Sequence, residues 1–219
     1  MALGTTIRRP DGYGEAVTDR RPRGRPAVSS REAIERVAMR LFLERGYATT
    51  TIPMIAMESG VSRTSVFRYW GSKSEIVWSV FDLHTRRLGE LLADADPTAA
   101  TMQVVREQVV ENMRLSMIDS ALWLERFAVL ESAPELRSEE TAHWAAWADT
   151  VAGHVASRHG FAPSDVTPQS IGGAVQAAFL AVLRRWLTAE SPPTALLDDL
   201  DEALLPLCDV LQEWLDRSS

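Results

Sequence analysis

From Ser29 to the end of the 219-residue chain, apolar residues return at spacings of three and four, and no alternation of strand length appears. The pattern predicts an all-α protein. A first helix is expected over 30–45, where Ile34, Val37, Ala38, Leu41 and Phe42 form one stripe, Ser29 and Glu32 make a capping box, and Gly46 marks the stop. Thr51 opens a short helix with Pro53 in its first turn and Ile52, Ile55 and Ala56 facing inward, ending at Gly60. Ser62 caps a third helix expected to reach Trp70. Ser72 and Glu75 repeat the capping box and launch a long fourth helix through Val77, Val80, Phe81, Leu88 and Leu91. Five more helices are expected, roughly over 98–117, 120–132, 135–159, 168–189 and 194–217, separated by Asp96-Pro97, Ala133-Pro134, the stretch 160–163, Thr167-Pro168 and Ser191-Pro192-Pro193. Pro206 falls inside the last pattern and is expected to kink or split that helix, because it removes one backbone donor.

Charge sharpens this division. Residues 1–73 carry twelve Arg and Lys73 against seven acids, whereas residues 74–219 carry ten Arg against 23 acids. A basic first third on an acidic body predicts that the N-terminal region meets a polyanion. Residues 1–29 are rich in Gly, Pro and Arg with little apolar content, so they are expected to form a flexible basic arm. The single Cys208 excludes a disulfide framework and a Cys-rich zinc site, and fits a reducing cytoplasm. His84, His143, His154 and His159 lack zinc-ligand spacing, and there is no Gly-x-Ser-x-Gly elbow or glycine-rich phosphate loop. No catalytic residue, metal or cofactor is therefore expected, and the chain reads as no enzyme. The start of the chain has Arg8, Arg9, Pro10 and Asp11 where a signal peptide needs an apolar stretch, and no run of 18 apolar residues occurs. Neither secretion nor a membrane partner is expected.

The chemistry of the N-terminal third lies between Thr51 and Trp70. Helix, tight turn and short helix follow one another, with Gly60 supplying the left-handed residue at the bend and Val61 plugging the gap between the helices. Helical bookkeeping puts Val66 and Trp70 inside and Thr64, Ser65, Phe67 and Arg68 outside, flanked by Arg63 and Tyr69. Such a face suits a major groove, since arginine pairs with guanine, hydroxyls reach base edges or phosphate, and Phe67 matches a thymine methyl. A plain helical corner in a larger core is the alternative.

These residues also resemble a known family. Leu41-Phe42-Leu43-Glu44-Arg45-Gly46-Tyr47, then Thr50-Thr51-Ile52, Ile55-Ala56, Gly60-Val61-Ser62 and Phe67-Arg68-Tyr69-Trp70-Gly71-Ser72-Lys73 look like the DNA-binding domain of TetR-type regulators. The resemblance implies an N-terminal three-helix helix-turn-helix domain over 30–75 and a C-terminal bundle of about six helices over 76–219 that binds a small-molecule effector and dimerises. It implies a cytoplasmic bacterial homodimer bound to a double-stranded, palindromic DNA operator and, by default, repression. Carried over by position, Arg63, Thr64, Ser65 and Phe67 approach bases, Tyr69 and Lys73 hold phosphates, and Thr51 holds one on its helix N-terminus. The chain departs from the family pattern at Val66-Phe67, where Leu-Tyr is usual, and at Trp70, where Phe is usual; the lost tyrosine hydroxyl puts one contact in doubt. In the arm, Pro22-Arg23-Gly24-Arg25-Pro26 resembles the core of an AT-hook, so Arg23 and Arg25 are candidates for a narrow A·T minor groove. A merely basic tail is the alternative.

In the body, large apolar residues stand out: Trp78, Phe81, Met113, Met117, Trp123, Phe127, Trp144, Trp147 and Phe179. Residues of this kind are usually core, and in a TetR-like body some of them line the effector cavity. Trp78 and Phe81 lie on the helix joining both domains, where a ligand could pivot it. Ala174, Ala177, Ala178 and Ala181 form a small-residue ridge, and Leu204, Leu207, Leu211 and Trp214 a matching apolar face, together expected at a four-helix dimer interface unless they pack within one chain. Ser72-Lys73, Val77-Trp78 and Phe81-Asp82 further resemble actinobacterial regulators associated with mycofactocin clusters, which implies a lipophilic or acyl-type effector. A body without inducer, serving as a constitutive architectural or protein-interaction module, is the competing expectation; a filled pocket or a solid core separates the two.

Overall fold

The computed structural model describes residues 31–119, 122–189 and 193–218, which contain nine α-helices and no strand. Arg23, Arg25, the remainder of the arm and the Ser29 cap lie outside the described residues. The elements are α1 (Arg31–Arg45), α2 (Ile52–Glu58), α3 (Arg63–Phe67), α4 (Lys73–Asp94), α5 (Thr101–Asp119), α6 (Trp123–Ser132), α7 (Arg137–His159), α8 (Val166–Thr188) and α9 (Pro193–Ser218), with a 3-10 turn at Pro134–Leu136 before α7.

The starts of the early helices are set by side-chain caps. Thr51 accepts from the Met54 amide, Ser62 from the Ser65 amide and Ser72 from the Glu75 amide. At the last, Glu75 reaches back to accept the Gly71 amide at 2.6 Å, closing the box. Gly46, Gly60 and Gly160 take positive φ at the ends of α1, α2 and α7, a region costly for any other residue. α3 is shorter than its pattern suggested. Beyond Phe67 the amides of Arg68 and Tyr69 turn to carbonyls three and four residues back, and the chain tightens toward Trp70 before α4 begins.

Two cores share α4. In the head, Ile34, Ala38 and Phe42 of α1 pack with Ile55, Val66, Trp70 and Ile76. In the body α7 lies along α8, α5 along α9, and α4 descends against α5 and α7. Gln212 caps α5 by accepting the Met102 amide at 2.9 Å, and Arg106 pairs with Asp201 at 2.6 Å, so α9 is tied to the first turns of α5. Of the two expected effects of Pro206, a kink or a split, the split does not occur: α9 runs as one helix through it. Pro206 and Glu202 are exposed, so the carbonyl deprived of its partner can be hydrated.

Leu204 and Leu211 belong to the inward stripe of α9 with Leu196, Leu200, Cys208 and Leu215, so packing within the chain takes them out of any dimer face. Leu207 and Trp214 are half-buried. On α8, Ala177 and Ala181 are exposed and Ala174 and Ala178 half-buried, while Ile171, Val175, Phe179 and Leu183 face the core. By length and composition α8 is apolar enough to cross a membrane, although Gln169, Ser170, Gln176, Arg184 and Arg185 keep it from being an uninterrupted apolar run. Gly172 is the point where α8 meets α7: a Cβ there would stand 2.4 Å from the Ala148 carbonyl oxygen. Gly172→Ala is expected to destabilise the fold by about 1–3 kcal/mol through overpacking, whereas Gly173→Ala, which meets open space, is neutral or mildly stabilising; urea midpoints of the two variants make the comparison.

Candidate nucleic-acid interface and a closed aromatic centre

The head places its helix-turn-helix as the spacing implied. Val66 and Trp70 are buried, and Arg63, Thr64, Phe67 and Arg68 are exposed around them, with Ser65 and Tyr69 half-buried. Phe67 keeps 52% of its surface accessible. From Ser59 to Ser74 there is no acidic residue; of the two acids that flank the segment, Glu58 is paired with Arg40 at 2.7 Å and Glu75 accepts the Gly71 amide. Arg68 lies with its guanidinium 5.0 Å from the Tyr69 ring centroid and donates to its hydroxyl at 3.3 Å, which holds both groups on the same edge. Met57, 74% exposed at the end of α2, was passed over because an apolar residue in an amphipathic pattern reads as core.

Two carried-over roles change. Lys73 donates to the carbonyls of Tyr47 at 2.7 Å and Thr50 at 3.0 Å and sits 3.9 Å from the Tyr47 ring centroid. Burial lowers its pKa. Its ammonium therefore staples the turn after α1 to the start of α4 and is largely spent there, which weakens its assignment to a phosphate. Thr51 is exposed with its hydroxyl capping α2, so its neighbouring amides, more than its side chain, are what a phosphate would meet.

The head is bound to the body by one buried ion pair. Arg126 on α6 donates to Glu35 on α1, and its second terminal nitrogen lies 3.5 Å from the Ile76 carbonyl at the start of α4. Both side chains are almost wholly inaccessible. Burial pulls the Arg126 pKa down against the opposing pull of Glu35.

In the body, the nine aromatic and Met candidates come together as one mass. Trp78 stacks on His143 at 4.1 Å and meets Phe81 edge-on at 5.5 Å; Phe81 meets Trp144 at 4.5 Å, and Trp147 stacks on Phe179 at 5.0 Å. Trp123 stacks on Phe127, and Met117 packs half-buried against the cluster. The void they enclose is about 10 Å³. Of the nine, Phe81, Met113, Trp123, Trp147 and Phe179 line it, while Trp78, Met117, Phe127 and Trp144 stand behind. His84, Asn112 and Ser116, absent from the sequence-level set, supply its polar wall. Outside, a groove of about 1080 Å³ runs between α1 and α4 past the beginning of α6.

An exposed basic and aromatic face on a capped helix-turn-helix, carried by an all-helical body, defines a helix-turn-helix transcriptional regulator. Residues 34–80 match the family described as bacterial regulatory proteins, tetR family, and residues 99–212 match the MftR C-terminal domain. The mycofactocin biosynthesis transcriptional regulator MftR of Mycobacterium tuberculosis is 28% identical over 194 residues, covering 89% of this chain and 95% of that protein. Among solved structures, the complex of SmeT with triclosan is similar at a TM-score of 0.59 and 19% identity, over 84% of this chain and 90% of that one; SmeT is the repressor of a Stenotrophomonas maltophilia multidrug efflux pump. Thermus thermophilus FadR with lauroyl-CoA gives 0.51 and 24% over 81% and 92%. These two show the shared fold. The chain belongs to the tetR family of bacterial regulatory proteins, with a C-terminal domain of the MftR type, and is a transcriptional regulator, not an enzyme.

Two measurements follow from this geometry. Arg126→Met leaves Glu35 buried without a partner and is expected to cost about 3–5 kcal/mol in chemical denaturation, while the double variant with Glu35→Leu recovers most of the loss. Burial, with Arg87 and Arg126 nearby, depresses His84 from 6.5 to about 4. Between those values the unfolded chain binds a proton that the folded chain refuses, so this group's contribution to stability is complete above pH 6.5 and declines toward pH 4. His84→Leu is expected to flatten that part of the melting temperature against pH profile.

Proposed function

We propose that this chain is a homodimeric repressor that holds a palindromic operator and leaves it when an apolar or amphipathic molecule, lipophilic or acyl-type, enters the aromatic centre of the body. The observation that carries the DNA-reading half is the exposed set Arg63, Thr64, Phe67 and Arg68 around the buried Val66, in a segment free of acids. Arg63, Thr64, Ser65 and Phe67 are assigned to bases, Arg68 to a base edge, Tyr69 and the amides after Thr51 to phosphates, and Arg23 and Arg25 to an adjacent minor groove. Dimer contact is assigned to Ala174, Ala177, Ala178 and Ala181 on α8 with Leu207 and Trp214 on α9, because α8 is apolar on its outer as well as its inner side. The place of action is the cytoplasm.

The effector half draws support from the aromatic lining and from proteins of the same fold whose structures hold triclosan and lauroyl-CoA. The small void favours a second reading, in which the body is a constitutive architectural or protein-interaction module. A ligand of any size requires the packed rings to part, as in a pocket that exists only in a minor conformation.

Gel shift of the full-length protein on DNA from its own upstream region, at two salt concentrations, tests the assignment. Saturable binding that falls steeply with salt is expected. Arg68→Ala is expected to weaken it about tenfold or more if the guanidinium reads a base edge, and Arg23→Ala with Arg25→Ala to lower both affinity and salt sensitivity. Binding that is equally weak on unrelated DNA overturns the operator reading.

A further inference from the structure

The wall of the void is not chemically uniform. Phe81, Met113, Trp123, Trp147 and Phe179 make it apolar, and His84, Asn112 and Ser116 close one side. Two of those three polar groups are already engaged. Arg87 donates to Asn112 Oδ1 at 2.9 Å and to Ser116 Oγ at 2.6 Å, and Ser116 in turn donates to the Asn112 carbonyl at 2.7 Å. His84 is 6% exposed, and its Nδ1 has no hydrogen-bond partner. Among the described residues that line the void, this is the buried side-chain atom left unsatisfied. A buried polar atom without a partner is a standing cost to the fold, and a group that completes it from outside the chain recovers that cost.

The lining also limits what can complete it. No Lys, Arg, Asp or Glu borders the void. Arg87, the cation that holds this polar wall, is already engaged by Asn112, Ser116 and Asp119. An anion carried into this site would lose its hydration with no counter-charge facing it, which is prohibitive beside the modest gain from one hydrogen bond. A cation fares no better. Position adds a third fact: His84 is the residue that borders both the void and the outer groove, so the imidazole forms the partition between solvent and the aromatic centre.

We infer that His84 is the specificity-determining anchor of the effector site, receiving from the groove side an apolar molecule whose one buried polar group is uncharged, such as a hydroxyl, phenol or carbonyl oxygen. This rests on the reading of the body as an effector-binding domain. The imidazole is neutral at the pH of the cytoplasm, since burial holds it near 4, and either tautomer can meet such a group by donating or accepting. Rings of the ligand replace the ring contacts that Trp123 makes with Phe127 and that Trp147 makes with Phe179. A charged end, if the effector has one, stays in the groove.

Three probes on one skeleton test this in the full-length protein by equilibrium dialysis at neutral pH: naphthalene, 2-naphthol and 2-naphthoate. In the unaltered protein 2-naphthol is expected to bind roughly tenfold more tightly than naphthalene, the worth of one buried hydrogen bond, and 2-naphthoate most weakly. His84→Leu is expected to bind naphthalene as before and to lose the preference for 2-naphthol, while His84→Gln keeps part of it. Melting gives an independent readout: an ordinary packing residue loses stability when replaced, but His84→Leu removes an unsatisfied buried group and is expected to raise the melting temperature. A preference for 2-naphthol that survives in His84→Leu, or naphthoate binding as well as naphthol, overturns the role of His84 while leaving the effector site standing. Failure of all three probes to bind the unaltered protein overturns the effector reading itself, and this inference with it.

Discussion

The Arg126 guanidinium, buried where α1, α4 and α6 cross, is the interaction on which the relation between head and body depends. Desolvating a guanidinium and a carboxylate costs several kcal/mol each, and their attraction returns this only in one geometry. Apolar contacts between α1 and α6 would tolerate sliding; an ion pair sealed from water does not. α6 carries Trp123 and Phe127 in the aromatic centre on the same short helix that presents Arg126 to α1. This supplies a physical route between the two halves additional to the continuous α4.

α4 itself performs two jobs that its sequence keeps apart. Its first turns give Ile76 to the head core, its middle gives Phe81 and His84 to the body, and its start is fastened by the reciprocal Ser72–Glu75 cap and by Lys73 on the carbonyls of the preceding turn. The exposed face around α3 follows from burial. It is what remains exposed once Val66 and Trp70 are drawn inside, and its lack of acids leaves the field of Arg63 and Arg68 unopposed.

Local signals in the chain carried most of the fold. Caps at Thr51, Ser62 and Ser72 and left-handed glycines at 46, 60 and 160 act within a few residues, so they can be read without knowing the partner helices. What escaped depends on distance. Lys73 looked like a phosphate ligand because nothing in its neighbourhood announces the carbonyls of Tyr47 and Thr50, 26 and 23 residues away. Leu204 and Leu211 have the same spacing whether α9 meets α5 or a second chain. Glu35 and Arg126 are 91 residues apart, and each alone resembles a solvated charge on an amphipathic helix. The aromatic set was recognisable as a set, but periodicity carries no information on whether nine large side chains leave a hole or fill it.

That they nearly fill it has a consequence for how such a regulator would be tuned. A cavity already open sets ligand sensitivity by fit alone; a closed one adds the free energy of parting the rings, and that energy is drawn from the same contacts that keep the body folded. For any molecule that binds there, the concentration at which it does so is therefore a packing property. Trimming Phe179 or Trp147 would yield a more sensitive and less durable protein, and enlarging a neighbour a sturdier and deafer one. Dose threshold and thermal endurance are two readings of one core.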